Sequence, residues 1–280
     1  MRKLTALLAG MTLAMTTLPA AAGVVITQKQ HVTNGQNTRD TEQTVSVQGN
    51  KQKMVTERHV IITDLDKGMM YVIDPKEKTY FEIEFPPKGQ MAAMMAANAK
   101  AAMNFKKAGT SHQIAGYKCN DYNGGGHMMA GDYTIKECFS KDAPGAQEFS
   151  AFEKNMASKL KGAGAAEPAG GEVPEGVPLS LDSTMKMGNV SIPGMSAAQA
   201  DKINQMMKNR PPVVTNTIVE KIEAQKLASD TFTIPAGFTK KELPAGPGGM
   251  GGMKMPPGAI KMPPGAMKMA PGAGASPAAH

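Results

Sequence analysis

The two cysteines of the chain, Cys119 and Cys138, are the residues whose type and spacing point most directly to chemistry. An even number of cysteines in an exported chain favours a disulfide. Residues 113–122 and 132–140 are predicted strands, and the midpoint of the cysteine pair falls within the glycine-containing loop 124–131. We therefore predict that the cysteines face each other across a hairpin and form a disulfide. The alternative is a metal or redox pair, although the spacing is not C-x-x-C.

Methionine sulfurs near the C-terminus are a second set of potential ligands. Residues 254–273 repeat a seven-residue unit of Lys, Met, Pro, Gly and Ala, which is typical of an extended, disordered tail. Thioether sulfur is a soft ligand that suits Cu(I). The hypothesis of copper binding stands beside that of a plain tail, and its candidate ligands are Met250, Met253, Met255, Met262, Met267 and Met269.

Sequence motifs for catalysis are missing. The chain contains no G-x-S-x-G, H-E-x-x-H, Walker-type or G-x-G-x-x-G motif in a suitable context. Gly124, Gly125 and Gly126 are better explained by a turn than by a phosphate-binding loop. His31, His59 and His112 lie far apart in the sequence and are interpreted as solvated or structural side chains. We therefore predict a protein that is not an enzyme and that has no resident cofactor.

The first 22 residues have the pattern of a signal peptide. Arg2 and Lys3 precede an apolar segment, Pro19 ends it, and the small residues 20–22 fit a cleavage site after Ala22. The formal charge of the whole chain is +7. Three lysines of the repeat carry much of the charge that remains after cleavage, which disfavours a basic nucleic-acid-binding domain. We expect a periplasmic or secreted protein with no transmembrane helix in its mature part.

The mature chain divides into strands, helices and a tail. Alternating apolar residues predict strands within 24–32, 41–48, 54–63, 69–74, 80–85, 177–191 and 213–223, with helices within 88–109, 145–160 and 196–208. Phe149, Phe152, Met156 and Leu160 form the apolar stripe of the second helix. The predicted organisation is a signal peptide at 1–22, one domain at 23–243 and a disordered tail at 244–280.

Two short segments resemble a family of secreted bacterial proteins of unknown function. These are residues 66–80, which read DKGMMYVIDPKEKTY, and residues 114–119, which read IAGYKC; the ending FTIPAGF at 232–238 is also similar. That family in turn resembles the lipoprotein-localisation proteins LolA and LolB. The resemblance implies an α+β fold, a curved antiparallel half-barrel sheet with helices packed on its concave face. It implies no catalytic residues.

A curved sheet with an apolar concave face suggests a carrier for a hydrophobic, lipid-like ligand of the cell envelope. The predicted lining combines side chains of the strands with methionines of the first helix, which are soft and adaptable: Tyr71, Ile73, Phe81, Ile83, Phe85, Met91, Met94 and Met95. The alternative for this lining is a fully packed core without a cavity. The alternative function is an envelope scaffold whose lysine-bearing tail makes weak contact with a partner or an anionic surface.

Overall fold

The computed structural model describes residues 23–88, 105–128, 131–162, 174–188, 196–207 and 209–242, all within the first of two units, Met1–Glu242. In this part of the chain, twelve strands form one sheet, and two helices accompany it. The strands are β1 (Gly23–Asn34), β2 (Asn37–Gln48), β3 (Lys51–Val55), β4 (Val60–Asp64), β5 (Met69–Asp74), β6 (Thr79–Glu84), β7 (Lys106–Ile114), β8 (Tyr117–Met128), β9 (Gly131–Ser140), β10 (Val177–Met187), β11 (Val213–Gln225) and β12 (Thr239–Lys240). The helices are α1 (Ala146–Gly162) and α2 (Ala197–Met207).

The spatial order of the strands is β12-β6-β5-β4-β3-β2-β1-β11-β10-β9-β8-β7. Every pairing is antiparallel except that of β12 with β6. The long-range pairing of β1 with β11 joins an N-terminal meander to a second antiparallel group. This confirms the predicted large antiparallel sheet with helices; the packing of the helices on a concave face stays a prediction.

Most of the core lies between α1 and one face of the sheet, which we call the helix face. Phe149 and Phe152 of α1 are buried in one cluster with Val24, Val47 and Leu179 of the sheet. Met156 and Leu160 pack against the same cluster, so all four residues of the predicted stripe take part. This interface follows from the 3.6-residue period of the helix and the alternation of the strands. The opposite side of the sheet is called the groove face below.

The predicted strand 54–63 is wrong, because the chain reverses within it. β3 and β4 form a hairpin in which Val55 pairs with Val60. The backbone N–H of Thr56 donates to the carbonyl of His59 at 2.9 Å, and the Thr56 hydroxyl accepts the N–H of His59 at 3.1 Å. This turn contains no glycine or proline, and it therefore lacks the usual sequence signal.

The predicted strand 113–122 is also wrong. A turn at Ala115 and Gly116, with φ of 50° and 84°, separates β7 from β8. Both residues have the positive φ that a tight hairpin turn requires. Residues 124–126, predicted as the turn, lie inside β8 instead, where they pair with β9. The end of the first predicted helix also becomes strand, since β7 begins at Lys106.

The start of α1 depends on a close backbone approach. Gly145 precedes the helix with φ of 74°, and a Cβ at this position would lie 2.4 Å from the Cβ of Val24 in β1. Ser140 closes the loop between β9 and α1, since its hydroxyl donates to the carbonyl of Lys118 at 2.7 Å and accepts the N–H of Ala143 at 3.2 Å. Gly145 allows the start of α1 to approach β1 closely, and Ser140 holds the loop that leads to α1.

Candidate functional site

The predicted ligand lining is divided between the two faces of the sheet. Directly opposed residues of paired strands share a face. Tyr71 is opposite Glu82, whereas Phe81 is opposite Val72, so Tyr71 and Phe81 lie on different faces. By alternation, Tyr71 and Ile73 belong to the groove face, and the helix face carries Phe81, Ile83 and Phe85. The prediction of one common lining is therefore wrong for these residues.

The remaining predicted ligands lie outside the described residues. These are the three methionines of the first predicted helix, Met91, Met94 and Met95, and the six tail methionines, Met250, Met253, Met255, Met262, Met267 and Met269. The signal peptide at 1–22 also lies outside this part of the chain. Among the described residues, no group of three or more His, Cys, Asp or Glu side chains is arranged to hold a metal ion.

The disulfide is present and links β8 to β9. Cys119 and Cys138 are joined, with their Cα atoms 5.4 Å apart, and both are buried in the core. The predicted register is wrong, because Asp121, not Cys119, is directly opposite Cys138. The bond therefore runs diagonally between neighbouring strands and places Asp121 beside it.

A groove of about 530 Å³ crosses the groove face. The edge strand β7 contacts β11 although three strands separate them in the sheet, so the sheet curls at this end. The groove lies within this curl, between His112 and Ile114 of β7 on one side and Asn216 and Ile218 of β11 on the other. The full lining is Lys29, His31, Asp40, His112, Gln113, Ile114, Asp121, Lys136, Ser180, Asp182, Asn216, Thr217 and Ile218.

Strand register arranges the floor of the groove in two parallel rows of opposed residues. We call these the Asp182 row and the Ile218 row. The Asp182 row runs across five strands, from β9 to β2, as Lys136, Asp182, Asn216, His31 and Asp40. The Ile218 row runs across six strands, from β8 to β2, as Asp121, Cys138, Ser180, Ile218, Lys29 and Glu42. Cys138 and Glu42 belong to this row by register but do not line the groove. Thr217 alternates with its neighbours on β11, and its side chain belongs to the helix face.

Asp121 organises one end of the groove. It is only 1% exposed, and its Oδ2 accepts hydrogen bonds from the Thr110 hydroxyl and from His112 Nε2, the latter at 2.8 Å. Lys136 Nζ lies 3.2 Å from the same oxygen. Burial alone would raise the pKa of Asp121, but the bonds from Thr110 and Lys136 outweigh it and hold the pKa below its usual value. Its Oδ1 is buried and has no hydrogen-bond partner.

Histidine–aspartate pairs recur on this face of the sheet. His31 Nδ1 donates to Asp40 at 2.6 Å, and His112 donates to Asp121; in each pair the aspartate follows the histidine by nine residues across a hairpin. The structure brings His31 and His112 to one groove, which their separation in the sequence did not indicate. The repeated nine-residue spacing was the available signal for each pair, although not for their juxtaposition.

A carboxyl pair lies between the sheet and α1, away from the groove. Burial raises the pKa of Glu137 in β9 to about 7, and the nearby charge of Glu153 adds to the effect. Burial likewise raises the pKa of Glu153 in α1 to about 7. Leu181 opposite Glu137 places this carboxyl on the helix face. These groups can bind or release protons near neutral pH, but they contribute no groove lining.

The described part of the chain is thus a large, unclosed, mostly antiparallel sheet with a groove lined mainly by polar residues and a disulfide beside it. A family model for the domain of unknown function DUF4412 matches residues 13–170, more than half of the chain. The chain belongs to this family, which confirms the predicted membership of a family of unknown function. No curated protein sequence matches the chain at a significant level. Among the described helices, none is long and apolar enough to cross a membrane.

Several solved structures are similar to the chain in part. PNGF-II shares 11% identity at a TM-score of 0.39; the match covers 80% of this chain and 31% of PNGF-II, so this chain spans about a third of that protein. A DUF1329 family protein from Desulfovibrio piger ATCC 29098 shares 8% identity at a TM-score of 0.30, covering 76% and 90% of the two chains. A proposed outer membrane lipoprotein-sorting protein domain from Vibrio parahaemolyticus shares 7% at 0.29, covering 76% and 89%.

Proposed function

We propose that the chain is an exported, non-enzymatic carrier of a hydrophobic, lipid-like ligand in the cell envelope. The Cys119–Cys138 disulfide supports export, because such bonds persist in oxidising compartments. The pattern of residues 1–22 supports it independently. The ligand site in this proposal is the groove, on the opposite side of the sheet from the site predicted between the sheet and its helices.

The exposed position of Ile218 is the observation that carries the proposal. Its relative exposure is 50%, although it lies in the middle of the thirteen-residue strand β11 and in the centre of the Ile218 row. Ile114 of β7 lines the same groove. Ile218, with the partly buried Ile114 across the groove, offers apolar surface within a concave site, and a bound ligand would remove this surface from water.

A lipid-like ligand needs polar partners for its head group as well as apolar contact for its chain. The polar side chains that line the groove can supply these partners. Charged and amide side chains surround Ile218 on both rows, and most already make ion pairs or hydrogen bonds within the sheet. Such pre-positioned groups orient a ligand without needing to reorganise. The proposal includes no chemical step.

The test combines detection of a native ligand with a directed substitution. Organic extraction and mass spectrometry of protein purified from its native host should release a bound lipid-like molecule. A neutral pyrene-labelled alcohol should bind the purified chain, and Ile218→Asp should weaken this binding at least tenfold. Val55→Asp is the matched control, because Val55 is a 37% exposed aliphatic residue on the groove face but outside the groove.

Two results would contradict the carrier function. One is the absence of any extracted ligand together with no binding of the pyrene probe. The other is equal weakening by Ile218→Asp and Val55→Asp, which would trace the effect to general destabilisation. Both variants should keep the wild-type melting temperature within a few degrees, since each changes an exposed side chain.

A further inference from the structure

We propose that the groove selects a ligand with an organic ammonium group, which binds the carboxylate of Asp182 while its apolar chain lies on Ile218. This inference rests on the carrier function proposed above and specifies the head group of the same site. The inference follows from carboxylate oxygens of the groove residues that have no charged hydrogen-bond donor.

The lysine and histidine side chains of the groove are already paired with carboxylates. Lys29 Nζ lies 2.6 Å from Glu220, and Lys136 Nζ lies 3.2 Å from Asp121. The two histidines each donate to an aspartate, at 2.6 and 2.8 Å. An anionic ligand would therefore share each of these cations with a carboxylate that is already bound to it, and it would meet no unpaired positive charge among them.

The acceptors, in contrast, are incompletely used. Asp182 accepts one hydrogen bond, from the neutral amide of Asn216 at 2.7 Å, and no described cation lies within ion-pair distance of it. It is exposed and lies in the middle of the groove floor. The nearest cation by register, the opposed Lys136, is bound to Asp121 instead. Asp182 is therefore a carboxylate ready to receive a charged donor.

Asp121 provides a second and independent indication. It lines the groove, is 99% buried, and has one oxygen without a hydrogen-bond partner. A buried acceptor of this kind is costly unless a donor reaches it, and such atoms mark sites that a ligand completes. The residues that line the groove thus include one exposed carboxylate without a cation and one buried carboxylate oxygen without a hydrogen-bond partner.

The balance of charge agrees with a cationic ligand. Three aspartates line the groove against two lysines, and Glu220 adds a further carboxylate to the environment of Lys29. Asp182 is opposite Asn216 on β11, and Ile218 is the next residue of that strand on the same face. An ammonium at Asp182 therefore places the first methylene groups of its chain beside Ile218, about 7 Å along the strand.

Three probes with the same ten-carbon chain separate head group from tail. Decylamine, decanol and decanoate each compete with the pyrene-labelled alcohol for the full mature protein at pH 7. We expect decylamine to bind at least tenfold more tightly than decanoate, with decanol between them. Asp182→Asn should abolish the preference for the amine and leave the affinity for decanol unchanged.

Asp132→Asn is the matched control. Asp132 is an exposed carboxylate on the same face, paired with His127 at 3.0 Å but outside the groove. This variant should keep the full preference for decylamine. Similar affinities for all three probes, tighter binding of decanoate, or an unchanged preference in Asp182→Asn would each overturn the inference while leaving a hydrophobic carrier. Failure of all three probes to compete, while the pyrene-labelled alcohol still binds, would also overturn the inference. The carrier function itself fails only if the pyrene-labelled alcohol does not bind and extraction releases no ligand.

Discussion

Asp121 lies directly opposite Cys138, although the disulfide of Cys138 runs diagonally to Cys119, two residues before Asp121 on β8. One covalent bond thus fixes the strand pair that holds the buried carboxylate. His112 is opposite Cys119 on the other side of β8, so the His112–Asp121 hydrogen bond spans the same short stretch of hairpin. The disulfide and the Asp121 end of the groove therefore belong to the same three paired strands, β7, β8 and β9.

Replacement of Asp121 by alanine should destabilise the protein by about 1.5–3 kcal/mol, because it removes a buried carboxylate that accepts from the exposed side chains of Thr110 and Lys136. The measurement is urea unfolding at pH 7. Asp132→Ala is the control, since its exposed pair with His127 should contribute less than about 1 kcal/mol. Equal losses in the two variants would contradict the central role of Asp121.

The stability lost in Asp121→Ala should depend on pH. Because the folded pKa of Asp121 lies below its usual value of 3.8, its ionised form stabilises the fold above that pH. The contribution is lost as the pH falls below 3.8 through the folded pKa. The difference in unfolding free energy between wild type and Asp121→Ala should therefore narrow between pH 4 and pH 2. A constant difference would show that the ionised carboxylate is not responsible.

Local pattern predicted the elements of this fold well and their arrangement less well. The apolar stripe of α1 and most of the strands were predictable from hydrophobic periodicity. Residues of α1 and of the sheet are buried against each other, so apolar residues recur every three to four positions in the helix and at alternate positions in the strands. The split of the predicted strand 54–63 was missed, since the Thr56–His59 turn uses a threonine hydroxyl and no glycine or proline. The disulfide was predicted correctly from cysteine count, but its diagonal register depends on a turn placed further along the chain.

The groove could not be predicted from the sequence, because its residues come together only through long-range pairing. His31 and Asn216 are opposed because β1 pairs with β11, a connection between distant parts of the chain that no local pattern indicates. The error in the predicted apolar lining has a simpler cause. Each strand of the β5–β6 hairpin alternates as expected, but the register sets Tyr71 opposite Glu82 rather than Phe81.

The carboxyl pair beneath α1 should make the protein less stable as the pH rises. The folded pKa of Glu153 is about 7 and its usual value is 4.5, so the folded state binds more protons between these values. The free energy of unfolding therefore falls from pH 4.5 to pH 7 and is then constant with respect to this group. Glu153→Gln should remove much of this loss, which makes the variant about 1–2 kcal/mol more stable than wild type at pH 8 and similar at pH 4.

Thermal unfolding of wild type and Glu153→Gln between pH 4 and pH 8 measures this difference in stability. A control variant shows whether removal of any surface carboxylate has the same effect. Glu77→Gln is the control, because Glu77 lies in the exposed turn between β5 and β6. It should follow the wild-type profile. A Glu153→Gln profile parallel to that of wild type would contradict the role of the pair.

Substitution of Gly145 by alanine should be among the most destabilising changes of a single methyl group in this chain. The positive φ of 74° already costs a non-glycine residue about 1 kcal/mol. The added Cβ would also lie 2.4 Å from the Cβ of Val24, a fully buried residue that cannot move aside without disturbing β1 and the core under α1. Because a crowded core resists added volume, we expect a total loss of about 2–4 kcal/mol.

Gly237→Ala separates the two causes, since Gly237 has a similar φ of 82° and no atom within 4 Å of the new Cβ. It should lose only the backbone contribution of about 1 kcal/mol. Urea unfolding of both variants gives the comparison, and equal losses would mean that the contact of Gly145 with Val24 does not limit how α1 packs on the sheet.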